Sequence, residues 1–162
     1  MQFATFHDLE DQSIFITGGG AGIGADLTKG FLSQGSKVTF IQRSNPEKFL
    51  IDCKGKYKHE PSFLECDVTN TKELKTALRT TAEKQGPISV LVNNAANDTR
   101  HTIGEFTSDQ WDKTMDVNLK PHFFAAQEVV EGMKKNGGGS IINFSSISYM
   151  MGNEGLSLIH IS

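Results

Sequence analysis

Three observations predict an α/β fold built on a mostly parallel, doubly wound sheet. Strand-like and helix-like segments alternate along the 162 residues, as they do in parallel sheets whose crossovers are helices. The apolar run Ile14-Phe15-Ile16 meets a glycine cluster that opens directly into a helical pattern, a strand–turn–helix unit. The segment Ile88–Val92 is apolar almost throughout, which suits a strand covered on both faces.

Taken in order, the first strand is expected over 13–17 and the first helix over 22–34, with Ile23, Leu27 and Phe31 along one face and Gly35 as its stop. Lys37–Ile41 reads as strand two. Asn45 before Pro46 suits an N-cap and first helical position for a short helix over 46–54, and strand three follows at Ser62–Cys66. Asn70 with Glu73 has the spacing of a capping box for a helix with Leu74, Ala77, Leu78, Thr81 and Ala82 inward, which Gly86-Pro87 ends. Strand four is 88–92, and the loop after it runs to Phe106. Thr107 with Gln110 opens a long helix over 107–135, with a stripe of Trp111, Met115, Leu119, Phe123, Ala126, Val130 and Met133. Pro121 should bend it. Gly137–Gly139 is a turn into strand five, Ser140–Phe144, and the pattern stops after Ser148.

Composition narrows the function classes. The net charge of −3 carries no basic excess, which argues against a general nucleic-acid binder. No apolar run reaches the roughly 20 residues that a membrane span needs. The N-terminus has no basic region followed by a long apolar core, so no signal peptide is expected. Cys53 and Cys66 lack metal-ligand spacing and read as packed thiols; no metal site is expected, and the composition suits a reducing cytoplasm.

Five of the 16 glycines fall within positions 18–24. Glycine in such density weakens regular structure, so the backbone there is expected to approach something closely. A glycine turn at a helix N-terminus makes an anion site, and the expected ligand is a nucleotide pyrophosphate. Asp67, at the C-terminal end of strand three, lies where open α/β sheets bind ligands, and it has an alternative role in capping the next helix. Asn94 carries donors and an acceptor that can tie strand four to a ribose. After strand two the chain reads Gln42-Arg43-Ser44, with no carboxylate before Glu47. Arg43 presents a fork for a 2′-phosphate, which favours NADP over NAD.

The pattern Thr17-Gly18-x-x-x-Gly22-Ile23-Gly24 resembles the cofactor loop of the short-chain dehydrogenase/reductase family. Cys66-Asp67-Val68-Thr69, Asn93-Asn94-Ala95-Ala96, Asn118 within Val117–Leu119, and Ser140–Ser146 match further family motifs in the right order. Ala96 stands where the family more often has glycine. The resemblance implies a Rossmann-type sheet of order 3-2-1-4-5, incomplete on its C-terminal side, and an NAD(P)-dependent oxidoreductase. It implies cofactor contacts from Thr17, Gly18, Gly20, Ala21, Gly22, Ile23, Gly24, Gln42, Arg43, Asp67, Val68, Asn94, Ala95 and Ala96. Ser146 would hold the substrate oxygen and Asn118 a water in a proton relay. The segments 93–101, 132–139 and 142–148 resemble bacterial sugar 1-dehydrogenases of the xylose type. That likeness implies an aldose substrate lined by Asn97, Asp98, Arg100, His101 and Ser148, and a homodimeric or homotetrameric assembly in the intact relative.

One departure is prominent. The family places a tyrosine about thirteen residues after the serine, and a lysine four later; here the first position holds Ile159, and no lysine follows Ser146. The last seven residues, Leu156–Ser162, resemble a translated sequencing adapter. The expectation is a domain over 1–155 followed by an artefactual tail over 156–162, without turnover. A non-catalytic nucleotide-binding module and a reductase of acyl or alcohol substrates are the alternative functions.

Overall fold

A computed structural model describes residues 4–151. Five strands form one parallel sheet of order β3-β2-β1-β4-β5: β1 Ser13–Thr17, β2 Lys37–Gln42, β3 Ser62–Glu65, β4 Ile88–Asn93 and β5 Ser140–Asn143. The helices are α1 Gly22–Ser33, α2 Glu47–Cys53, α3 Thr71–Gln85, α4 Ser108–Asn118, α5 Lys120–Lys135 and the short α6 Ser148–Met151. Strand order reverses between β1 and β4, which creates a switch point at their C-terminal ends.

Alternate residues of the central strands feed two cores. Ile14, Ile16, Val38, Phe40, Val90 and Val92 pack with Leu32 and Cys53 on the α1–α2 face. Phe15, Ile41 and Leu91 pack with α3 and α5 on the other. All five β1 residues are buried, as expected for a strand covered on both faces. Each fully buried Phe or Ile of this kind contributes roughly 1.5–3 kcal/mol. By contrast, β5 is exposed along its length, with Ile141 and Ile142 partly open.

Several elements differ from the sequence reading. On α1 the fully buried residues are Gly24, Thr28 and Leu32; Leu27 and Phe31 pack partly buried against the same core as expected, and Ile23 is exposed. The inward face is thus wider than the expected row, and the glycine loop's packing turns it toward Gly24 at the helix start. The short helix begins at Glu47 with Pro46 as its N-cap residue, not Asn45. The long helix divides into α4 and α5 at Leu119, whose φ of −124° leaves the helical range. Pro121, in the first turn of α5, has no N–H to continue the α4 ladder. The break also rotates the inward face. Pro121, Ala125, Val129 and Met133 are buried, whereas Trp111, Leu119 and Phe123 are exposed. A helical turn, α6, occupies 148–151, where no element was expected. The expected tail over 156–162, with Ile159, lies outside the described residues.

Candidate active site

The C-terminal ends of β1, β2, β3 and β4 converge on the glycine loop. Thr17 ends β1, and its Oγ1 accepts hydrogen bonds from the backbone N–H groups of Asn94 and Ala95, both at 2.9 Å. The Asn94 side-chain amide donates to the carbonyls of Thr17 at 3.0 Å and Gly18 at 3.3 Å. Residues 17–18 and 94–95 are thereby knitted across the switch point. Gly18 N–H donates to Ile41 O at 2.7 Å, which seats the loop over β2.

The loop glycines answer to two different demands. A Cβ on Gly20 would lie 2.5 Å from Gln42 Oε1, and one on Gly19 would overlap Phe40. At Gly24 it would overlap the carbonyl oxygen of Gly18. These three positions let the loop and the first helical turn pack against the protein itself. The close approach expected from the sequence is therefore, in large part, an approach to Phe40, Gln42 and Gly18. Gly22 is different: its φ is +50° and no atom lies within 4 Å of a Cβ placed there. Only its backbone conformation requires glycine. Thr28, which the sequence reading did not single out, donates from its buried hydroxyl to Gly19 O at 2.8 Å. It lies one turn beyond Gly24 on the buried face of α1, the only signal that could have marked it.

Helix α1 opens with Ala21, Gly22 and Ile23 exposed, no capping side-chain bond and no acidic residue in its first turn. The leading N–H groups of a helix have no intrahelical acceptor. This end can accept an anion, and the residues fit the pyrophosphate of a dinucleotide.

Beside it, Gln42 bridges two loops. Its Oε1 accepts from Gly20 N–H at 3.0 Å, and its Nε2 donates to Ser44 O at 2.7 Å. Arg43 is highly exposed, and its Nη1 lies 3.9 Å from Asp67 Oδ2. The other oxygen of Asp67 accepts from Thr69 N–H at 2.9 Å and Thr69 Oγ1 at 2.8 Å. These bonds, with Arg43 nearby, hold the Asp67 carboxyl below its ordinary range despite an opposing desolvation effect. The expected capping alternative is filled by another residue, since Asn70 caps α3 by accepting from Glu73 N–H at 3.2 Å. Val68 packs partly buried against the α3–α5 core, and burial pushes the neighbouring Cys66 thiol up to about 11.

On the far side of the switch point, Asn118 ends α4 and clasps the backbone of Asn97. Its Oδ1 accepts from Asn97 N–H and its Nδ2 donates to Asn97 O, both at 2.8 Å. The Asn97 side chain in turn accepts from Thr99 N–H and Oγ1. Ala96, Asp98 and Arg100 are exposed in the same loop, and the His101 ring lies 4.2 Å from that of Phe106. Ser146 follows β5 and is half-buried. The side chain of Ser148 lies outside the described part. The residues expected at the cofactor and those expected at the substrate thus occupy successive strand ends. Nothing in the sequence pattern singles out Asn93 and Asn143 as a pair. Asn93 Nδ2 donates to Asn143 Oδ1 at 2.8 Å between β4 and β5.

Topology and site together describe a Rossmann-type domain. Residues 12–158 match the short chain dehydrogenase family, and the chain belongs to that family. It is 39% identical over 159 residues to D-xylose 1-dehydrogenase of Caulobacter vibrioides, covering 98% of this chain and 62% of that protein. It is 39% identical over 149 residues to a probable galactose dehydrogenase of Rhizobium meliloti, covering 90% of this chain and 58% of that protein. A metagenomic blue fluorescent protein, solved in complex with NADPH, superposes with a TM-score of 0.84 at 27% identity, over 93% of this chain and 62% of that one. The chain therefore spans about three fifths of the curated relatives it matches. Among the described residues no helix is long and apolar enough to cross a membrane.

Proposed function

We propose that the protein is an NAD(P)-dependent oxidoreductase acting on the CH–OH group of an aldose, with NADP preferred over NAD. The observation that carries the cofactor reading is the open N-terminus of α1, with Arg43 and Asp67 beside it. The likeness to xylose and galactose dehydrogenases supports the sugar. The N–H groups of Gly22, Ile23 and Gly24 would meet the pyrophosphate, Asp67 and Val68 the adenine, and Arg43 the 2′-phosphate. Asn94, Ala95 and Ala96 would border the ribose next to the nicotinamide. When bound, the cofactor supplies the hydride acceptor. The Ser146 hydroxyl would donate to the substrate oxygen, and Asn118 would hold the Asn97 backbone and a water beside it. Asn97, Arg100, His101 and Ser148 would border the sugar.

After Ser146 the sequence has Tyr149 and no lysine. The general base that family resemblance calls for is thus not supplied by residues 1–162, and we expect this chain to bind the dinucleotide without turning over. The whole enzyme would be cytoplasmic and a homodimer or homotetramer.

Calorimetric titration of the 162-residue chain separates these claims. NADP should bind about tenfold more tightly than NAD, a difference of about 1.4 kcal/mol. Arg43→Ala should bring the two together without weakening NAD. Equal affinities in the unaltered chain would refute the NADP preference, and oxidation of D-xylose or D-galactose by it would refute the expected inactivity.

A further inference from the structure

Two buried side-chain atoms among the described residues have no hydrogen-bond partner: Asn93 Oδ1 and His122 Nε2. Asn93 is wholly buried. An orphaned buried polar atom is costly, so natural structures rarely keep one. Two orphans raise the question of whether they face each other.

The topology places them together. Asn93 lies two residues after Leu91 on β4 and so projects to the same face. Leu91 belongs to the core that includes Ala125, Val129 and Met133 of α5. His122 precedes Ala125 by three residues and Val129 by seven, which puts it on that same side of α5. The level agrees as well. Met133 lies against Gly139, and Gly139 also neighbours the Ser89 carbonyl at the start of β4. Eleven residues back along a helix is roughly 16 Å, which equals roughly five residues of strand and reaches from Ser89 to Asn93–Asn94. The Asn118–Asn97 clasp pins the preceding turn just beyond that level.

The polarity agrees too. The Asn93 amide donates to Asn143 Oδ1 at 2.8 Å, so its remaining atom is an acceptor. We propose that His122 is a positioning residue whose Nε2–H donates toward Asn93 Oδ1 across one trapped water, completing a buried polar chain His122–Asn93–Asn143. This chain fastens α5 to β4 and β5 at their C-terminal ends, three residues ahead of Ser146. Phe144 N–H donates to Asn93 O at 2.9 Å and ties the same strand end through the backbone. Any bearing on chemistry rests on the role given above to Ser146, whereas the hydrogen-bond chain itself does not. Burial disfavours the imidazolium at His122, consistent with a neutral ring in this place.

Nitrogen-15 NMR of the full chain labelled at its five histidines tests the proposal, with the His122 signal assigned by its loss in His122→Gln. The expected result is a single neutral tautomer near pH 7, protonated at Nε2. In Asn93→Asp, a carboxylate facing that nitrogen should raise the His122 titration midpoint by about one unit or more. An Nδ1–H tautomer, a fast-exchanging mixture of both, or a midpoint unchanged in Asn93→Asp would each overturn the pairing. If Asn93→Asp does not fold, the tautomer in the unaltered chain decides alone. Dinucleotide affinity is a separate readout, so loss of the cofactor reading would leave this result standing.

Discussion

A methyl group at Gly24 would overlap the carbonyl oxygen of Gly18 and sit 2.8 Å from the Asn94 amide nitrogen. Neither neighbour can yield cheaply. Gly18 is fixed by its bond to Ile41 O, and Asn94 by its bonds to Thr17 O and Gly18 O. Gly24→Ala should therefore cost about 3 kcal/mol, the upper part of the usual overpacking range. Gly30→Ala is the control. Gly30 lies in the same helix with nothing within 4 Å of its Cβ position, and the substitution should be neutral or stabilising by up to about 1 kcal/mol. Urea unfolding of both variants checks this, and equal midpoints would show that the first turn of α1 tolerates side chains. At this scale the sequence was only partly legible. Glycine density marked the loop, but Phe40 and Gln42, against which Gly19 and Gly20 pack, lie on β2, about twenty positions away. Nothing local announces that Gln42 reaches back to Gly20, or that the Thr28 hydroxyl supports Gly19. The placement of Asp67 and Asn94 at strand ends was legible, because such ends in an open sheet are natural places for polar side chains.

Between elements, hydrogen-bond and charge patterns show what periodicity alone does not. Asp11, just before β1, receives Lys58 at 2.9 Å and His59 at 2.6 Å from the loop between α2 and β3, and Lys58 also reaches Glu10 at 2.7 Å. This clasp joins segments nearly fifty residues apart. The Lys58 and His59 partners lower the Asp11 carboxyl to about 2 from 3.8. A carboxyl lowered on folding adds stability above its unfolded value, and that stability is lost as pH falls through the folded value. The contribution is thus complete above pH 3.8 and gone below about 2, and exposure with salt screening keeps it small. Asp11→Asn removes the charge but tolerates the positive φ of 59°. The variant should show a shallower loss of stability with acid in that window and weaker salt dependence at neutral pH. Identical acid profiles would mean the clasp is not formed in solution. Element existence was legible almost throughout, because alternating apolar runs, Asn70, Thr107 and the Gly86-Pro87 stop are local signals. The faces of α1 and α5 were legible only in part. For α1, Leu27 and Phe31 do pack on the core, but the fully buried row is Gly24, Thr28 and Leu32, and Ile23 is exposed. For α5 the break at Leu119 shifted the phase, so Phe123 fell outside the buried stripe while Met133 stayed within it.

Across the whole molecule, the candidate site belongs to no single element. Its parts come from the β1–α1 loop and from the ends of β2, β3 and β4, and the bonds Asn94–Thr17, Gln42–Gly20 and Gly18–Ile41 connect three of those four directly. A ligand held by all four should bind the native sheet and not the unfolded chain, and so stabilise the domain as a unit. At a free NADP concentration one hundred times its Kd, linkage adds about 2.7 kcal/mol to unfolding. For a domain of this size each kcal/mol shifts Tm by roughly 2–4 °C, so the rise should be of the order of 8 °C. Asp67→Ala should demand a higher NADP concentration for the same rise, because it removes the carboxylate that follows β3 and faces Arg43 while leaving the Asn70 cap intact. Gly22→Val should do so more strongly, through strain at a φ of +50° in the turn that faces the anion. Scanning calorimetry at several dinucleotide concentrations resolves the outcome: a Tm that rises with the logarithm of NADP concentration supports a site assembled by the fold. No rise at millimolar NADP or NAD would mean that the strand ends, although correctly brought together, do not hold a dinucleotide in this chain.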